Sequence, residues 1–336
     1  MPVTLTSVAQ LAGVSVSTAS RALTGHPSVQ PATRTRVVEA AANLRYRPNR
    51  MAAALRTRRS GLVGLVVNNL WNATFNTVAE TLQSWGAEAG WQVLVCTTGG
   101  DADREAAFLD TALDHGFDGV VVAGSGANHD RVNALLDAGT AVVTTNREVP
   151  GARAPSVVLD YRRAAQLATE HLLVAGHTRI ATVSATDAVT SGREQHAGVV
   201  AALAAAGLPL LPDLVHRGPF TTEFGRAAVT ALLAHPTPPT ALLVTNHEAA
   251  GGVLPVLTGQ GTVVPRELSV VMTEDEPFFG WWPPRLTAVD NRAAEQARTA
   301  AELLHAQLDG TAAPGPSQRL VEPVLVVRDS VGPPPR

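Results

Sequence analysis

The chain has 336 residues, 45% apolar and 16% charged, which is long enough for more than one hydrophobic core and too apolar for a disordered chain. It has no uninterrupted apolar run of membrane-spanning length, the opening MPVTLTSVAQ lacks the basic and apolar regions of a secretory leader, and the single Cys96 excludes an internal disulfide. These features predict a cytoplasmic protein with no membrane partner. The net charge of −3 conceals a segregation, because residues 1–60 carry nine arginines against Glu39 alone, a balance of +8 that leaves −11 for the remainder. A small basic module on an acidic body is the electrostatic footprint of phosphate binding.

In chain order, Leu5–Leu23 reads as two short helices joined by a tight turn. Val8, Ala9, Leu11 and Ala12 supply small apolar residues at helical spacing. Gly13 stands where a left-handed turn residue is wanted, and Ser15 can cap the second helix. That helix exposes Val16, Ser17, Ser20 and Arg21 while Ala19, Ala22 and Leu23 face inward. This is the helix-turn-helix pattern, whose second helix enters a DNA groove; an ordinary helical hairpin inside another domain is the alternative. Pro31 opens a third helix, with Arg34, Val37, Val38, Ala41 and Leu44 in an amphipathic pattern, and Tyr46 and Pro48 end it. Residues 49–57 form a short Ala-rich helical stretch carrying Leu55, flanked by Arg50, Arg56, Arg58 and Arg59. It is too short to be stable alone in water, so it is either a segment that folds on a partner or a plain linker.

From Gly61 the texture changes. Leu62–Val67, Gln92–Cys96, Gly119–Ala123, Ala141–Thr145 and Val157–Leu159 read as buried strands, alternating with helices near 75–89, 103–115 and 129–138. The pattern restarts with a helix near 161–175, a strand Ile180–Ser184, a helix near 192–206, strands near 241–245 and 268–272, and a helix near 247–259. Leu320–Val327 reads as a last strand and Val331–Arg336 as disordered. The predicted class is α/β: a helix-turn-helix module at 1–60, with a hinge helix at about 49–57, and a body at 61–330. The body has two lobes of doubly wound parallel sheet, a boundary near 160 and the chain recrossing near 290 and 320, with a ligand cleft at the carboxyl ends of the strands.

The chain resembles the lactose-repressor/galactose-repressor family of bacterial transcription factors over almost its whole length. The segments that carry the resemblance are VAQLAGVSVSTASRAL (8–23), YRPNRMAAALRT (46–57), GLVGLVV (61–67), ATEHLLVAGHTRIA (168–181), SGREQHAG (191–198) and PPTALLVTN (238–246). The resemblance implies a periplasmic-binding-protein-like body and a homodimer, or higher assembly, whose paired modules read a near-palindromic operator in double-stranded DNA. It also implies a small-molecule effector, a sugar or sugar derivative, that alters DNA affinity.

By position it implies that Ser15, Val16, Ser17, Thr18, Ser20 and Arg21 form the DNA-facing surface, with Val16 and Ser17 the variable readers of bases. Thr4, Thr33, Tyr46 and Asn49 match phosphate-contacting positions, and Leu55 matches the leucine that wedges into the minor groove. For the effector it implies Arg193 as the fork of donors, with Asn246 and Asp275 at strand ends, Phe75 and Phe224 as an aromatic pair, and Asn72, Arg147 and Asp160 as further candidates. Trp281 lies in a loop that approaches the cleft in the family, although Trp281 and Trp282 also suit dimer or core packing.

Departures from the family pattern cluster at the presumed cleft. Asn246-His247 replaces the usual Asn-Asp, Met272-Thr-Glu-Asp275 replaces Gly-Phe-Asp-Asp, and Asn72-Ala-Thr-Phe75 replaces Asn-Pro-Phe-Phe. An ordinary hexose is therefore a less secure expectation. Arg45 takes the place of the glycine that commonly ends the third helix. An enzyme is the competing class, but no nucleophile elbow, HExxH, paired-cysteine spacing or phosphate loop occurs, so no catalytic residue, cofactor or metal is expected. A solute-binding protein shares the body but calls for export and does not explain the basic module.

Overall fold

The computed structural model describes residues 3–46, 59–312 and 315–335. The chain divides into two compact units, Met1–Ser60 and Gly61–Arg336.

In the first unit, α1 (Leu5–Ala12) starts at Thr4, whose hydroxyl accepts from the Ser7 N–H at 3.3 Å, and stops at Gly13 with φ 64. The Val14 N–H then donates to the Ala9 carbonyl at 3.0 Å, closing the turn. In α2 (Val16–Leu23) the Ser15 hydroxyl accepts from the Thr18 N–H at 3.1 Å. Pro31 opens α3 (Pro31–Asn43), where its missing N–H removes no helical bond. The three helices close on Val8, Ala9, Ala12, Ala19, Ala22, Val29, Val37, Ala40 and Ala41, mostly small side chains that let helix backbones approach closely. Arg34 ties α3 to the preceding loop, donating to the carbonyls of Gly25 and His26 at 3.0 and 2.8 Å. Arg45 adopts φ 52, the left-handed conformation a glycine would take without cost. Val38, expected on the inward stripe, is half exposed, because the core uses Val37, Ala40 and Ala41 instead.

In the second unit the first lobe is built from β1 (Leu62–Val67), α4 (Ala73–Ala89), β2 (Gln92–Thr97), α5 (Ala102–Asp114), β3 (Gly119–Ala123), α6 (His129–Asp137), β4 (Ala141–Asn146) and β5 (Ser156–Leu159). The second lobe is built from α7 (Tyr161–Val174), β6 (Ile180–Ala185), α8 (Thr190–Ala205), β7 (Val215–Gly218), α9 (Thr222–Leu233), β8 (Ala241–Val244), α10 (His247–Gly259), β9 (Ser269–Met272) and β10 (Thr287–Asp290). The chain then returns to the first lobe with α11 (Ala293–Leu308), which packs Ala297, Ala300, Ala301 and Leu304 into its core, and with β11 (Gln318–Val321). It ends in the second lobe with β12 (Val324–Val326). The sheet orders are β11-β5-β4-β3-β1-β2 and β12-β10-β9-β8-β6-β7, with every pairing parallel except β10 with β12. Continuous Val/Leu/Ala runs suit strands covered by helices on both faces.

Two expectations fail near the C-terminus. Leu320–Val327 is not one strand: β11 pairs with β5 and β12 with β10, with Glu322-Pro323 between them, and a proline offers no N–H to a continuing ladder. Residues 331–335 are held in place rather than disordered. Ser330 bonds through its carbonyl to the Val270 N–H at 2.9 Å and through its hydroxyl to the Thr287 N–H at 2.8 Å. The Gly332 N–H reaches Ser269 Oγ at 3.0 Å, and buried His177 stands 2.9 Å from both Ser269 Oγ and the Gly332 carbonyl.

Candidate functional site

The carboxyl ends of both sheets meet at one cleft between the lobes. Its first-lobe wall is Asn68, Asn69, Asn72, Thr74, Phe75, Asn146, Arg147 and Leu159. The second lobe brings Tyr161, Ser191, Gln195, Phe220, Thr245, Asn246, His247, Glu248, Glu274 and Asn291. Amides dominate, two phenyl rings supply flat apolar faces, and charge is confined to Arg147, His247 and the two glutamates. The open volume is about 70 Å³, whereas pockets around small ligands run to roughly 300–1,000 Å³. Admitting such a molecule requires the lobes to part or side chains to turn.

The walls are positioned by caps. Asn72 begins α4, its Oδ1 accepting from the Thr74 N–H at 2.8 Å, and Asn246 begins α10 by accepting from the Ala249 N–H at 2.8 Å. Asn146, with φ 68 at the end of β4, receives the Tyr161 hydroxyl, whose oxygen lies 2.9 Å from both its carbonyl and its Oδ1. This bond joins the last residue of a first-lobe strand to the first residue of a second-lobe helix, and burial pushes the Tyr161 phenol pKa up. Gln195 donates to the Thr245 carbonyl at 3.3 Å and to Thr273 Oγ1 at 3.2 Å, while its own Oε1 finds no hydrogen-bond partner among the described residues. The Arg147 guanidinium lies 6.0 Å from the centre of the Phe220 ring, at the outer limit of a cation–π contact.

At the centre, His247 Nδ1 donates to Glu274 Oε2 at 2.7 Å, and the His247 N–H meets the same oxygen at 3.1 Å. Asn72 Nδ2 stands 3.4 Å from that ring nitrogen, across the lobe boundary. Burial alone would discharge His247. The bond and charge of Glu274, with Glu248 and Glu276 nearby, outweigh it and raise its pKa to about 9. Burial raises the carboxyl pKa values of Glu248 and Glu276, against the opposing pull of His247. The backbone N–H of Ala73, in the first lobe, favours the charged form of Glu276.

Of the residues expected at the cleft, Asn72, Phe75, Arg147 and Asn246 line it; five others stand elsewhere. Arg193 is half exposed and lies 3.5 Å from Glu194, because α8 turns Ser191 and Gln195 inward and residue 193 falls on the other face. Asp275 is held by Arg328 through two bonds of 2.8 and 2.7 Å, and it is the preceding Glu274 that reaches the cleft. Phe224 packs over Gly218 in the second-lobe core, and Phe220, four residues earlier in the loop before α9, takes the lining position. Asp160 caps α7, accepting from the Arg163 N–H at 2.8 Å. Trp281 follows the short turn Pro277–Gly280 and is 79% exposed. His247 and Glu274 are visible in the sequence as departures from the family pattern, but nothing there shows that they touch.

In the first unit, α2 presents Val16 (44% exposed), Ser17 and Arg21 outward, with Ser15 exposed and Thr18 and Ser20 half-buried. The Ser15 hydroxyl lies 2.9 Å from that of Ser17 and 2.8 Å from that of Thr18, a continuous hydroxyl row along the start of the helix. Thr4 is exposed, Thr33 is half-buried, and Tyr46 packs partly against the helical core. Asn49 and Leu55 lie outside the described residues.

Residues 60–308 match the family of periplasmic binding proteins and the sugar-binding domain of the LacI family. The chain belongs to the LacI family. Residues 4–49 match the bacterial regulatory proteins of the same family, so this LacI-family chain is a DNA-binding transcriptional regulator and not an enzyme. The regulator GalR of Escherichia coli K12 is 31% identical over 331 residues, covering 98% of this chain and 96% of GalR. AglR of Rhizobium meliloti is 32% identical over 344 residues, covering all of this chain and 96% of AglR. Among solved structures, the lac repressor dimer bound to operator and the anti-inducer ONPF gives a TM-score of 0.85 at 25% identity, covering 99% of this chain and all of that one. The complex of the regulator CelR with cellobiose gives 0.73 at 29% identity, covering 98% and 99%. The matched DNA-binding segment disfavours a solute-binding protein without a transcriptional role.

Proposed function

We propose that this regulator is a cytoplasmic homodimeric repressor whose two basic modules read a near-palindromic operator and whose operator affinity is set by a small polyhydroxylated effector held between the lobes. The observation that carries this reading is the amide-rich cleft at the carboxyl ends of both sheets, within a chain whose first 60 residues hold a +8 charge and a capped helix-turn-helix. Asn, Gln and carboxylate groups suit the paired donors and acceptors of vicinal hydroxyls, and Phe75 and Phe220 suit the apolar face of a ring. Asn72, Phe75, Arg147 and Asn246 belong to this effector set together with Gln195, Phe220, His247 and Glu274.

On DNA, Val16 and Ser17 read base edges, Arg21 takes a guanine or a phosphate, and Thr4, Ser15, Thr18, Ser20, Thr33 and Tyr46 set the register. Asn49 and Leu55 add a phosphate contact and a minor-groove wedge. Supporting relatives are the lac repressor, solved with operator, and CelR, solved with cellobiose. The chain enters the first lobe at Gly61, whose N–H donates to Asp118 Oδ2 at 2.6 Å. Movement of that lobe is therefore passed to the preceding segment, and ligand binding alters how the two hinge segments of a dimer meet. The test is retardation of the promoter DNA beside its own gene, with and without compounds that raise the melting temperature in a sugar and nucleoside screen. Sequence-specific, salt-dependent retardation that a screen hit changes supports the reading; retardation equal on unrelated DNA and blind to every hit rejects it.

A further inference from the structure

We propose that His247, Glu274 and Glu276 form a site for a first-row divalent cation such as Zn²⁺ at the edge of the ligand cleft. One imidazole nitrogen and two carboxylate oxygens from these residues all lie within 4.8 Å of one another, a spacing that modest side-chain rotation converts into three ligands around one ion. The carboxylates are already held from behind. The His247 N–H fixes Glu274 at 3.1 Å, and the Ala73 N–H supports Glu276, which is only 6% exposed. Such backing hydrogen bonds orient ligands before an ion arrives.

The cluster is surrounded by acidic side chains, His247 Nδ1 lying 2.7 Å from Glu274 and its Nε2 3.8 Å from Glu248. The carboxylates of Glu248, Glu274 and Glu276 thus stand around one imidazole. Independent of these charges, the surrounding wall holds polar atoms with no partner among the described residues. They are Gln195 Oε1 and Thr245 Oγ1, on residues only 2% exposed. Buried polar atoms left without partners are costly unless a ligand or its bound water satisfies them. One nitrogen with two carboxylates suits Zn²⁺, Mn²⁺ or Co²⁺; it offers too few oxygens for Ca²⁺ and no sulfur for soft ions.

This inference deepens the cleft reading by adding a cation at the edge of the same site, and it is tested without DNA or sugar. Full-length protein stripped with a chelator and dialysed is titrated with Co²⁺, read by visible d–d absorption, and with Zn²⁺, read by calorimetry. One ion per chain is expected, with Glu276→Gln and His247→Gln each weakening binding at least about tenfold while far-ultraviolet circular dichroism stays native. If either variant fails to fold, Glu276→Asp, which keeps the charge and shortens the reach, must still weaken Co²⁺ binding and alter its spectrum. Absence of binding to the wild type at micromolar ion, or unchanged binding in the folded variants, overturns the site. A sugar response that persists in chelator alongside absent ion binding rejects the cation and leaves the cleft reading standing.

Discussion

Tyr161 and Asn146 meet across the lobe boundary, the phenol oxygen 2.9 Å from both the carbonyl and the side-chain oxygen of a residue held at φ 68. A buried tyrosine hydroxyl has one proton to give and here faces two acceptors, so the contact fixes both the left-handed turn after β4 and the start of α7. Tyr161→Phe leaves those acceptors without their donor and is expected to destabilise the body by about 1–2 kcal/mol. Thermal unfolding measures that loss, and effector binding to the same variant shows whether the turn also sets the cleft geometry.

Gln195 and Arg193 separate two readings of α8. Gln195→Ala removes a cleft-lining amide and its bonds to Thr245 and Thr273 and is expected to weaken the effector response at least about tenfold, a loss of some 1.4 kcal/mol or more. Arg193→Ala touches only an exposed ion pair with Glu194 and is expected to leave that response unchanged. Titration of the operator complex with effector distinguishes them.

Gly13 sits at φ 64 between the two helices of the DNA module. Gly13→Ala forces a Cβ into the left-handed region and is expected to cost about 1–2 kcal/mol. Gly13→Asn is expected to cost less, since asparagine tolerates that conformation. Specific operator affinity should fall in that order.

His177 gives the second lobe an acid sensitivity. Its burial lowers its pKa below the usual histidine value, with the Gly332 carbonyl opposing. The unfolded chain therefore takes up a proton at a higher pH than the folded one. Stability is expected to be fully present above the ordinary histidine range and to fall as pH drops through that range toward the lowered folded value. The melting temperature should decline on acidification, and His177→Gln should flatten that slope. The loss should appear first where Gly332 and Ser269 meet His177.

Much of this architecture was legible because buried parallel strands are written as unbroken apolar runs: Leu62–Val67 and Gly119–Ala123 begin and end where the residues change character. β7, reading Val-His-Arg-Gly, and β10, reading Thr-Ala-Val-Asp, carry too little apolar signal to be seen in that way. α9 carries a weak sequence signal partly because Gly225 interrupts it, yet that glycine is what lets it cross α10. A Cβ there would stand 2.1 Å from the Ala249 carbonyl oxygen. At the cleft, Asn72, Arg147 and Asn246 are named by the family resemblance, and they stand at the helix starts and strand ends that line it. Gln195, Phe220 and Glu274 are not named by it as lining residues, because a family motif locates a helix or loop without saying which of two nearby side chains turns inward. Arg193, Phe224 and Asp275 are the outward or core-packed neighbours of the three that do.

The coupling between cleft and operator is tested most directly by measuring the affinity of a screen-identified effector for the full-length protein, free and saturated with operator DNA. Linkage requires the effector's affinity to change by the same factor by which it changes operator affinity, about 5- to 150-fold in typical allosteric proteins. Equal affinity with and without operator, for an effector that occupies the cleft, would contradict control of DNA binding through that cleft.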